Sequence, residues 1–309
     1  MLSVSTRRNA WRWTRVAVAA ATLAVVVWRV GTGPFLDGLR RVDTGALAAA
    51  CALAVLTTVC CAWRWRIVAR GLGVDLPLGT AVAAYYRSLF INVTVPGGVV
   101  GDVHRGISHG RDTRDVGRGL RAVAWERAAG QVVQAVISVA VLLVVPSPVQ
   151  AAMPVVALAL LAAAVGVVLA ARAPAAGRSR WARLRAAAVR ELRAGLLARG
   201  AWPAIALASA VVVLGQAVTF MIAARAAGTT ASPSTMLALA LLVLMAGVLP
   251  NVGGWGAREG VTAWAFAAAG LGAARGVTVA VVYGVMVFTA TLPGAVVLVA
   301  AWRNRASNA

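Results

Sequence analysis

A chain of 309 residues that is 61% hydrophobic and only 13% charged, with a mean hydropathy of +0.83, carries about half the charge of a soluble domain. That composition excludes a soluble globular domain and a disordered chain, and it places the sequence among polytopic membrane proteins, where lipid covers apolar surface that no core could bury. All 30 basic residues are arginine and nine acids leave a formal net charge of +21; because the arginines flank apolar stretches and form no single stripe, they predict loops beside anionic headgroups and no nucleic-acid partner.

In chain order, Arg7, Arg8, Arg12 and Arg15 precede a first apolar stretch at 16–30. Trp28 and Arg29 follow its core with no small-residue cleavage pattern, so a retained helix is expected and not a signal peptide. Further spans are predicted at 44–63, 122–145, 149–171, 202–224 and 277–302, each near the length that crosses a bilayer. Cys51, Cys60 and Cys61 share the 44–63 run and read as small buried hydrophobes, without the spacing of a disulfide framework or zinc site. Two more apolar stretches, 78–101 and 237–271, are interrupted by Pro and Gly. Between 178 and 199, Trp181, Leu184, Ala188, Leu192 and Leu196 recur at helical spacing among Arg183, Arg185, Arg190 and Arg193, which predicts a basic amphipathic helix on the inner leaflet.

The arginines also set orientation. Those before residue 16, at 64–70, at 105–121, at 172–199 and after 302 are placed inside, leaving Arg29, Arg40, Arg41, Arg225 and Arg275 outside. Parity then requires 78–101 to start and finish inside and 237–271 to start and finish outside. The two irregular stretches thus enter from opposite faces.

They also resemble each other. Pro96, Gly97, Gly98, Gly101, Asp102 and Arg105 mark the first, and Pro250, Gly253, Gly254, Gly256, Arg258 and Glu259 mark the second; Arg105 and Arg258 stand 153 positions apart. Paired Gly/Pro-interrupted segments in corresponding halves point to a site built from an inverted repeat; coincidence in a chain with 31 Gly is the alternative. The expected architecture is therefore a single all-α polytopic transmembrane bundle over 1–309, with two broken, re-entrant hairpins and half-repeats near 1–150 and 151–309.

Pro and Gly free backbone groups that hydrocarbon cannot satisfy, so such segments line protein or a wet cavity. Helix N-termini aimed at that cavity would offer N–H donors to a phosphate. Arg87 and Asn92 lie inside the first broken stretch, Arg127 follows Glu126 in the 122–145 span, and Arg258 precedes Glu259. Arginine at this depth costs about 3 kcal/mol unless paired or wet. Each residue therefore reads either as a headgroup ligand or as a lock between helices, with Arg105 and Arg258 the leading phosphate contacts. The two acids are expected to pair across helices, because neighbours on a helix point apart. Asp102, His104, His109 and Asp112 match no standard metal spacing and read as a solvated loop; no metal or cofactor is expected.

These residues, with Gly260 completing the second motif, resemble the lysylphosphatidylglycerol synthase transmembrane region, a flippase-like family of integral membrane proteins, over about residues 16–302. The resemblance implies an all-helical, lipid-handling domain with re-entrant helices. In full-length synthases of the family this part moves aminoacylated phosphatidylglycerol between leaflets and a separate soluble domain makes that lipid; some stand-alone relatives are linked to polyprenyl-phosphate sugar transfer. Only seven residues follow Trp302, so aminoacyl transfer is not expected here. Val100 stands where the family often has a second Gly before the Asp, and His104 replaces a commonly aromatic position.

The function expected is a transporter of phosphate-bearing lipids in a bacterial-type inner membrane, with both termini in the cytoplasm. The competing readings are a lipid-linked transferase using Asp102, Glu126 or Glu259, and a subunit that assembles with a partner enzyme or with copies of itself.

Overall fold

A computed structural model describes residues 28, 32–95, 98–172, 180–198, 200–248, 251–252 and 255–306. The predicted span at 16–30, apart from Trp28, and motif residues Pro96, Gly97, Pro250, Gly253 and Gly254 lie outside the described residues. The helices are α1 (Gly33–Arg40), α2 (Thr44–Gly71), α3 (Leu78–Thr94), α4 (Val100–Asp112), α5 (Val116–Val144), α6 (Met153–Arg172), α7 (Arg180–Glu191), α8 (Ala201–Ala226), α9 (Pro233–Met245), α10 (Ala257–Ala268), α11 (Ala273–Thr291) and α12 (Pro293–Ala306). A two-residue antiparallel pair, Asn251–Val252 with Trp255–Gly256, interrupts them between α9 and α10. Among the described residues, five helical segments are long and apolar enough to cross a membrane: α2, α5, Gln150–Arg172, α8 and Ala273–Arg303. The fold is an all-α polytopic bundle.

The last span is two helices. Pro293 has no N–H to give and follows Leu292 at the end of α11, so the predicted 277–302 helix divides there. The basic amphipathic helix is present as α7, followed by a π-helical turn at Leu192–Leu196. The stretch from Asp102 to Asp112, expected as a solvated loop, is instead helical, and 105–121 comprises most of α4, a short turn, and the start of α5. Glycine explains why it can be buried. A Cβ on Gly119 would run into the backbone of Gly106 and Gly110, so α4 and α5 pack at a distance only Gly permits. Asp115 starts α5 by accepting the Arg118 backbone N–H at 2.8 Å, a contact that holds its carboxyl below the usual carboxylate range.

Both interrupted stretches are hairpins. At 1.5 Å per residue, the 17-residue α3 is about 26 Å long; it leaves the end of the bundle where α2 finishes, and α4 returns to that end. Gly71 meets the backbone of Ala194 and Gly195 there, and Arg121 binds Glu191 at 2.7 Å, so the arginine-rich segments near 70, 121 and 191 share one end. Arg41 lies beside Gly228, and α1 packs against α11 through Gly38 and Thr278. Those contacts gather Arg41 and the starts of α9 and α11 at the other end, and the α9–α10 hairpin enters from it. The two hairpins therefore point toward each other.

The core lies on the α8–α11 side, where Phe220 makes edge-to-face contacts with Phe266 and Tyr283 at 6.4 and 5.6 Å. α6 buries only Met153; the rest of its apolar surface is the kind lipid covers. Gly101 fixes the first hairpin, since a Cβ there would collide with the backbone of Ser88 and no rotamer change could relieve it. Gly101→Ala is expected to lower stability by about 1–3 kcal/mol, measured as a drop in the thermal unfolding midpoint of the purified protein in detergent.

Candidate functional site

The first hairpin is held by a charged cluster. Glu126, on α5 and wholly buried, accepts Arg64 Nε at 3.0 Å and Nη2 at 2.5 Å through Oε1, with the Tyr85 hydroxyl at 3.3 Å. Its Oε2 accepts Arg105 Nη2 at 2.6 Å. Asp102, on α4, accepts Arg105 Nε at 2.9 Å and the Ser88 hydroxyl at 3.2 Å through Oδ1. Its Oδ2 accepts Asn92 Nδ2 at 3.1 Å and Arg127 Nη2 at 2.5 Å. The Arg105 guanidinium lies between the rings of Trp65 and Tyr85, at 4.6 and 4.3 Å from their centroids, where the ring faces attract a cation. Arg64 Nη1 donates to Ser209 Oγ at 2.9 Å, and so ties α8 to α2 and α5.

Three arginines thus face two carboxylates, and the cluster carries one excess positive charge. Arg64 and Arg105 are enclosed, with side chains 6% and 0% exposed, whereas Arg127 is 38% exposed. Its buried Nε has no hydrogen-bond partner among the described residues. The excess charge therefore emerges at Arg127.

The second hairpin is simpler. Glu259 Oε2 accepts the Gly256 backbone N–H at 2.6 Å, and its Oε1 accepts Arg258 Nε and Nη2 at 3.0 and 2.6 Å. Gly256 has φ +113°, a conformation that excludes a side chain. Arg258 also lies 5.4 Å from the Tyr283 ring centroid.

These contacts correct several expectations. Glu126 pairs across helices as predicted, but Glu259 pairs with its sequence neighbour: its carboxylate is drawn back over the first turn to cap α10, and the long Arg258 side chain follows it. At each of these helix N-termini one N–H is already taken, Gly101 by Asn92 Oδ1 at 2.7 Å and Gly256 by Glu259 Oε2 at 2.6 Å. The corresponding positions of the two motifs are the acids, each third in its helix, so Arg105 and Arg258 are not equivalent. Arg105 is a lock between helices and Arg127 is the arginine that opens to space, the reverse of the predicted order. His109 and Asp102 are buried on α4 and not in a loop; among the described residues no group of three His, Cys, Asp or Glu is placed to hold a metal. Arg87 is half-buried on α3 and does not line the cavities described next.

Between the hairpins lie adjoining cavities. One, of about 110 Å³, is lined by Arg64, Tyr85, Arg127, Gln131, Gln134, Ser209 and Gln216 among others. The next, of about 250 Å³, shares Arg127 and the three glutamines and reaches Arg258 and Tyr283. A third, of about 130 Å³, branches from Gln216 between apolar walls that include Leu89, Met286 and Val287. Gln134 also donates to the Leu244 carbonyl at 3.0 Å, satisfying a group freed where α9 ends. The sequence reading missed Arg64, taken as a loop charge, and the glutamines. The signal was present: Arg127, Gln131, Gln134 and Ser138 recur at four, three and four residues, a polar stripe on an otherwise apolar helix.

A family model described as lysylphosphatidylglycerol synthase TM region matches residues 12–294. The chain belongs to this family. No curated protein matches it. Membership in the lysylphosphatidylglycerol synthase TM region family, together with the five apolar helices, makes it a multi-pass membrane protein of lipid metabolism with a flippase-like role.

Proposed function

We propose that the protein carries phosphate-bearing lipids between the leaflets of a membrane, with the headgroup passing through the chamber between the two hairpins. The observation that carries this reading is that Arg127 and Arg258 line one 250 Å³ cavity, each within contact of a different hairpin. Paired guanidinium groups suit phosphate, and the apolar branch beside Gln216 suits an acyl chain. Asp102, Glu126 and Glu259 are each held by arginine, which favours transport over a transferase, since a general base or metal ligand needs a free carboxylate. The arginine-rich end faces the cytoplasm of a bacterial-type inner membrane in this reading, placing both termini there.

Proteoliposomes containing fluorescent phosphatidylglycerol test it. The protein should raise leaflet exchange above that of empty vesicles, and Arg258→Ala should remove most of that gain. Arg225→Ala, on the outer end of α8, should keep it. Exchange no faster than in empty vesicles for phosphatidylglycerol, aminoacyl-phosphatidylglycerol and polyprenyl phosphate would overturn the reading.

A further inference from the structure

All nine acids of the chain lie among the described residues. Asp37, Asp43, Asp75, Asp112, Asp115 and Glu191 stand at helix ends, on the short α1 or in turns. Asp102, Glu126 and Glu259 are locked by arginine, and none of the nine lines the three central cavities. Among the described residues the charged groups facing that space are Arg64, Arg127 and Arg258, and the hydrogen-bonding groups between them include Gln131, Gln134 and Gln216.

Resting on the transport reading, we infer that the headgroup accepted here is anionic and carries no cation: a phosphodiester bearing a neutral, hydroxyl-rich group such as glycerol or a sugar. Guanidinium groups take the phosphate, and amides, which both donate and accept, match hydroxyls. A lipid ammonium would enter a chamber whose lining offers no carboxylate to meet it and already holds arginines. Like-charge juxtaposition of that kind rejects a partner more strongly than it weakens the right one. The aminoacylated lipid for which the family is described would be excluded on this ground.

The test is competition by native mass spectrometry on the purified full chain, with phosphatidylglycerol and lysyl-phosphatidylglycerol at equal concentration, run beside leaflet exchange of each lipid in proteoliposomes. Phosphatidylglycerol should be retained at least about tenfold over the lysyl form. Gln216→Glu, which sets a carboxylate where all three cavities meet, should shift that ratio about tenfold toward the lysyl lipid. A second variant, Gln131→Glu, should shift it the same way if the first fails to fold. Equal retention of the two lipids, or an unchanged ratio in a folded glutamate variant, overturns the inference and leaves transport standing. Selective retention of phosphatidylglycerol with no exchange of any lipid supports the inference and overturns transport. Retention of neither lipid overturns both.

Discussion

Glu126→Ala is expected to be the most destabilising single substitution in the bundle. Glu126 is 0% exposed and pairs with both Arg64 and Arg105, which are 5% and 0% exposed. Removing it leaves Arg64 enclosed with no carboxylate and Arg105 with Asp102 alone, and breaking a buried pair from one side costs about 3–5 kcal/mol. Here one acid serves two cations, so the loss should sit at the upper end of that range. The same change would remove the one side chain that ties α2, α4 and α5 together, because Arg64, Arg105 and Glu126 lie one on each. Thermal unfolding in detergent should show a large drop in midpoint or no folded protein. Glu191→Ala is the comparison. Its pair with Arg121 is half-exposed at the bundle end and should cost under about 1 kcal/mol.

Arg127 is expected to matter for lipid movement more than for stability. When Arg127 is removed, Asp102 keeps Arg105, Ser88 and Asn92 as partners, so the first hairpin retains its cap. The chamber loses the one guanidinium that both polar cavities share. A hydrogen bond to a charged group contributes about 1.5–3 kcal/mol, so Arg127→Ala should slow leaflet exchange of phosphatidylglycerol about tenfold to a hundredfold. Arg127→Lys should fall between, since a point charge remains but the planar fork does not. Normal exchange in both variants would make Arg127 a lock between helices and no more.

The spans were legible because length and hydropathy are enough to mark them, and the two interrupted stretches because Pro and Gly are conspicuous in apolar sequence. Which side of each helix faces inward was not legible from apolar residues, since lipid and protein core are equally apolar. Only polar residues carry that information, and they were partly misread. Arg64 follows a span and was counted with the loops, yet α2 continues to Gly71 and carries it inside. Arg105 sits in a Gly- and Arg-rich stretch that looks like a loop until Gly106, Gly110 and Gly119 are seen as the contact between two helices. The match of Arg105 with Arg258 followed residue type, whereas helix phase aligns Asp102 with Glu259. Pro293 could have divided the last span by the rule already applied to the two hairpins.

Substituted-cysteine accessibility at Gln134 measures most directly whether a wet chamber lies between opposed hairpins. In a background with Cys51, Cys60 and Cys61 replaced by alanine, Gln134→Cys should react with a membrane-impermeant thiol reagent, and phosphatidylglycerol should slow that reaction. Leu239→Cys, 1% exposed in the core, should stay unreactive. A cysteine at 134 that is inert from both faces of the membrane would contradict the account.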